Sequence, residues 1–142
     1  MGQRIMHEII LFLQTFDKYK QFTYEELWLH IQPSYFHNQY KIFKDEDGKV
    51  FGFISWAWVN EKIKEHYFKT GKVKKWNCGD ILLPVNCIAK NNLKEIVKWC
   101  KNEATKIIGE NKEISWLRMD ENFIMKKISK AQTKGRWLWE TQ

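Results

Sequence analysis

The run Asp80-Ile81-Leu82-Leu83-Pro84-Val85-Asn86-Cys87-Ile88-Ala89 constrains what this chain can fold into more than any other segment. It is apolar at nearly every position, so a strand formed here has both faces to cover and needs a layer on each side of its sheet. Pro84 has no amide to give to a ladder, which predicts a bulge or a splay at that point. Upstream, Tyr40–Lys44 and Lys49–Trp56 read as two strands joined by Asp45-Glu46-Asp47-Gly48. The Asp-Gly pair supplies the positive-φ residues of a hairpin turn, making these strands antiparallel neighbours.

Helical patterns fill the rest. Ile5, Ile9, Leu13 and Phe16, with Met6 and Ile10 alongside, predict an amphipathic helix over about residues 3–16. Thr23-Tyr24-Glu25-Glu26 has the capping-box pattern and opens a second helix through Ile31, which Pro33 is expected to stop. Val59 to Phe68 reads as a third, broken by Thr70-Gly71-Lys72. Asn92, with Glu95 three residues on, starts a long stripe of Leu93, Ile96, Val97, Cys100, Ala104 and Ile107 that Gly109 ends. Glu113 to Arg118 is a further strand, and the tail around Gly135-Arg136-Trp137-Leu138-Trp139 is expected to add a short strand or cover an edge. No repeat, linker or low-complexity segment divides the 142 residues, so residues 1–142 read as one α/β domain, a mixed sheet flanked by helices.

Composition bounds the function. No apolar run approaches the roughly 20 residues of a membrane span, and the first residues lack a cleavage site, reading as an ordinary helix. Three cysteines without a Cys-x-x-Cys spacing support neither a disulfide framework nor a zinc ribbon, and point to a reduced, cytoplasmic setting. A net charge of +7 calls for an acidic partner: an acidic protein, nucleic acid or an anionic membrane surface.

Three blocks then follow one another in a fixed order: Asn38-Gln39-Tyr40 downstream of Pro33, Ser55-Trp56-Ala57, and Trp76-x-x-Gly79-Asp80, with Arg118-Met119-Asp120 closing the last strand. Over roughly residues 8 to 120 the chain resembles the RTX-toxin-activating lysine acyltransferases, the hemolysin-activating relatives of the GNAT acetyltransferases. The resemblance implies a GNAT-like fold and transfer of a fatty acyl group from acyl carrier protein to a lysine of a protein. It implies no cofactor beyond that carrier-borne donor. Asn91-Asn92-Leu93 lacks the glycines with which a coenzyme A loop holds a pyrophosphate at a helix N-terminus. Asn38, Ser55 and Trp56, with Cys87, would lie around the substrate.

The chemistry needs a base for the lysine ammonium, donors for the oxyanion and an acid for the departing thiol. The family is associated with a histidine after the first helix and an aspartate on the central strand. Ungapped counting from the matched blocks puts those positions at Tyr19 and Asn86. A phenol titrating near ~10 is a poor base at neutral pH, and an amide does not titrate. His7, His30, His37 and His66 have no carboxylate at a diagnostic spacing and read as surface or packing residues; Asp80 reads as a turn residue. Cys87 could be a nucleophile, but without an identifiable base it reads as a buried, inert thiol.

Three functions remain open from sequence. The first is an acyltransferase of this family. The second is a catalytically inactive homologue that binds and inhibits a protein, such as a phage-encoded inhibitor of a host or defence protein. The third is a nucleic-acid binder using lysines interleaved with aromatics, as in Lys72-Val73-Lys74-Lys75-Trp76 and Lys134-Gly135-Arg136-Trp137. A homodimer is open as well.

Overall fold

The computed structural model of the protein describes residues 2–119 and 125–133. Helix α1 (Gly2–Leu13) buries Met6, Ile9, Ile10 and Leu13, as its periodicity requires. It ends earlier than expected. The Thr15 amide and hydroxyl both donate to the Phe12 carbonyl, tightening the last turn, and Phe16 is extended before a one-turn helix α2 (Asp17–Lys20). Helix α3 (Tyr24–Phe36) begins at the anticipated capping box, with Thr23 Oγ1 accepting from the Glu26 amide at 3.1 Å and Glu26 Oε1 from the Thr23 amide at 2.8 Å.

Pro33 does not stop α3. The acceptor it strands is the carbonyl of Leu29, a residue 61% exposed, so water can serve it for the single turn that remains. Asn38, at a left-handed φ of 54°, then reverses the chain into β1 (Tyr40–Lys44).

The antiparallel pairing is as expected, but Gly48 alone takes a positive φ and Asp47 does not. Asp45 Oδ1 accepts from the amides of Asp47 and Lys49, Gly48 takes φ 80°, and β2 (Val50–Val59) pairs antiparallel with β1. Val59 belongs to β2 and not to the next helix. Asn60 Oδ1 accepts from the Ile63 amide at 2.9 Å and caps α4 (Glu61–Thr70), which Gly71 closes at φ 75°. Strand β3 (Ile81–Ala89) pairs antiparallel with β2. The bulge foreseen from Pro84 is there: Ser55 pairs with Asn86 and Trp56 with Pro84, leaving Val85 without a cross-strand partner.

Helix α5 (Leu93–Ile108) ends at Gly109. The expected side-chain cap at Asn92 is absent, because Asn92 adopts a left-handed φ of 53° where an N-cap needs extended backbone. Strands β4 (Glu113–Met119) and β5 (Met125–Gln132) form a separate antiparallel ladder. Strand β5 was not anticipated, since Ile128 is its only large aliphatic position after Met125. Asp120 and the tail from residue 134 lie outside the described residues.

The α/β sandwich is therefore present, carried by two antiparallel sheets, β1-β2-β3 and β4-β5. Its mixed character lies where they meet. A cleft of about 220 Å³ sets Ile81 and Leu82 against Glu113, Ile114 and Ser115, so β3 and β4 begin at the same end and run parallel. Leu83 and Leu117 share one apolar cluster, yet no ladder joins the two strands among the described residues. Both faces of the first sheet are covered. Phe53, Tyr40, Ile42 and Ile88 pack under α1 and α3, while Phe43, Phe51, Ile54 and Ala89 meet Ile96 and Trp99 of α5.

Candidate active site

Helix α3 turns Leu27, Ile31 and Ser34 inward. His30, three residues after Leu27 and four before Ser34, lies along that same stripe and faces the sheet from its rim. Across from it, the bulge at Val85 sets Asn86 directly opposite Ser55. Asn86 Nδ2 donates to Ser55 Oγ at 2.7 Å, leaving the amide oxygen for His30, whose Nε2 lies 3.3 Å from Asn86 Oδ1. The three side chains form a line from interior to solvent: Ser55 is buried, Asn86 half-buried and His30 exposed.

The electrostatics favour a neutral ring. Protein packed around the imidazole lowers its pKa below the ordinary 6.5; the hydrogen bond it donates to Asn86 works the other way, and the Lys18 ammonium lowers it further. An amide oxygen only accepts, so Nε2 carries the proton and Nδ1 keeps a lone pair. At neutral pH this is an accessible base held in one tautomer by its neighbour.

Tyr19 is elsewhere. It is 6% exposed in the core cluster of α1 and α3, and burial pushes its phenol up to about 12. Asn38 makes the turn between α3 and β1. Trp56 packs on the opposite face of the sheet, its ring 6.4 Å from that of Trp99. Cys87, expected to be buried, is exposed; nearby protein still raises its thiol pKa, which keeps it protonated and inert. Asp80 lines the cleft at the start of β3, six residues before Asn86. Among the described residues no group of His, Cys, Asp or Glu could hold a metal ion.

The structure thus joins Asn86 and Ser55 from the expected set and adds His30. Counting from fixed motifs could not find His30, because its partner is 56 positions away. Its place on the Leu27–Ile31–Ser34 stripe was the available signal. The remaining blocks hold the scaffold. Gln39 Nε2 donates to Asn77 Oδ1 at 3.2 Å, and a Cβ on Gly79 would strike the backbone of Val59 and Asn60.

No curated protein matches the chain. The model of the RTX toxin acyltransferase family matches residues 2–132, which takes in every element described above. The chain belongs to the RTX toxin acyltransferase family.

Proposed function

We propose that this protein transfers an acyl group from the thioester of acyl carrier protein to a lysine amine of a protein substrate, with His30 as the base. The observation that carries this reading is the Ser55–Asn86–His30 line, which presents a neutral imidazole to solvent in a fixed tautomer. The lysine nitrogen attacks the thioester carbon, and His30 Nδ1 takes its proton as the C–N bond forms. Collapse of the tetrahedral species breaks the C–S bond, and the imidazolium returns that proton to the departing thiolate. The Lys18 charge that disfavours the imidazolium also favours negative charge on the thioester oxygen. In this reading His30 replaces the histidine that the family places at position 19, reaching the same central strand from the next helix.

The test is incubation with acyl-loaded carrier protein and lysine-bearing protein substrates, read by mass spectrometry. A lysine gains the mass of the acyl group, and His30→Gln slows that gain by about 10²- to 10⁴-fold, the usual worth of a positioned base. No lysine adduct with the unmodified chain overturns the proposal.

A second reading rests on Asn86, which supplies no charge to stabilise an imidazolium. The chain would then bind and inhibit a protein without catalysis. Stoichiometric retention of one partner, unchanged by His30→Gln and accompanied by no acyl transfer, would favour it.

A further inference from the structure

Helix α5 turns Ile96, Trp99 and Cys100 toward the sheet. Its outer surface carries two adjoining rows. Leu93 and Val97, one turn apart, are 54% and 50% exposed. Lys94, Lys98 and Lys101 repeat at the spacing of one helix face, all exposed and with no ion pair among the described residues. Like charges one turn apart repel, so the free helix holds these ammonium groups at a cost that a negative partner would relieve. Lys90, just before the helix, is not part of this row: its Nζ lies 5.3 Å from the centre of the Phe16 ring, on the α1 side.

The location matters as much as the charge. Leu93 follows the end of β3, and Ala89 is three residues from Asn86, about 10 Å along a strand. Asn86 faces the α3 side and α5 covers the other face of that sheet, so a macromolecule seated here would pass a tethered group around the end of β3 to reach His30. Aliphatic side chains flank the lysines, and the one tryptophan of α5, Trp99, is packed inward against Phe43. Nucleic acid would want exposed rings for stacking. An acidic protein surface with apolar residues among its carboxylates fits both rows.

We infer that the Leu93–Lys101 face of α5 docks the acidic surface of acyl carrier protein and delivers its thioester around the end of β3. This rests on the proposed acyl transfer and adds where the donor sits.

Binding of unacylated carrier protein tests it apart from catalysis. The intact chain is compared with K94E/K98E/K101E, with K62E/K69E/K72E as a control of equal charge change on exposed lysines at and just beyond α4, and with His30→Gln. Fluorescence anisotropy at low and high salt reads affinity, and circular dichroism reports folding. The α5 triple variant binds the carrier at least about tenfold more weakly, the intact chain loses affinity with salt, and the control and His30→Gln variants bind normally. If the carrier binds but no lysine is acylated, the docking surface stands and the reaction falls. If the two triple variants weaken binding equally, or the intact chain binds anionic vesicles or DNA and no carrier, the docking inference is overturned.

Discussion

Asn86 faces Ser55 directly across the β2–β3 ladder and donates to its hydroxyl oxygen at 2.7 Å. This bond fixes which end of the amide meets His30. With Nδ2 committed to a buried serine, only Oδ1 is left for the imidazole, so the tautomer of an exposed base is set from the interior. What the amide cannot do is neutralise the imidazolium formed when His30 takes a proton.

Asn86→Asp supplies that missing charge. A carboxylate beside the ring favours the protonated form and raises the His30 pKa, and Ser55 can reverse its hydroxyl to donate. Acyl transfer above the new pKa should rise by about tenfold or more, and the acid limb of the pH–rate profile should move to higher pH. An unchanged profile in the folded variant would remove His30 as the titrating base.

Stability should carry the same signature with a definite sign. The His30 pKa is lowered by folding, so between its folded and unfolded values the unfolded chain binds more protons. The contribution of the neutral ring is therefore complete above about 6.5, the unfolded value, and is lost as pH falls toward the folded one. Thermal melts from pH 8 down to 5 should show a falling Tm, with a shallower fall in His30→Gln. Parallel curves for the two proteins would contradict the lowered pKa.

Gly79→Ala tests whether the Trp-x-x-Gly-Asp block is structural. The added methyl would meet the backbone of Val59 and Asn60, where β2 hands over to α4, and backbone cannot swing aside as a side-chain end can. A loss of about 1–3 kcal/mol is expected, with transfer retained by the fraction that folds. Denaturant titration measures it; a variant as stable as the parent would show that the loop can move away.

The strands and turns were legible because their signals are local. Asp45 to Gly48 encodes the hairpin, and Pro84 encodes the bulge, within a few residues. Helix ends were less so. Val59 is apolar and fits the start of a helix as well as the end of a strand, and only the Asn60 cap separates the two. Pro33 looked like a stop because its effect depends on whether the stranded carbonyl of Leu29 meets water or protein, which is a tertiary matter. The site was half legible. Asn86 and Ser55 lie in recognisable blocks, whereas His30 comes from α3 and joins them only through packing.

Tyr19→His separates the two possible seats of the base. If position 19 were the seat, restoring its histidine alongside Asn86→Asp should raise transfer beyond Asn86→Asp alone. The structure argues otherwise. Tyr19 is 6% exposed among the apolar side chains of α1 and α3, so an imidazole there loses ring volume and is buried in surroundings hostile to its charged form. The variant should lose about 2–4 kcal/mol of stability, and the double variant should transfer no faster than Asn86→Asp. Chemical denaturation paired with mass-spectrometric rates decides between them. A stable double variant that outpaces Asn86→Asp would return the base to α2 and leave His30 as a bystander.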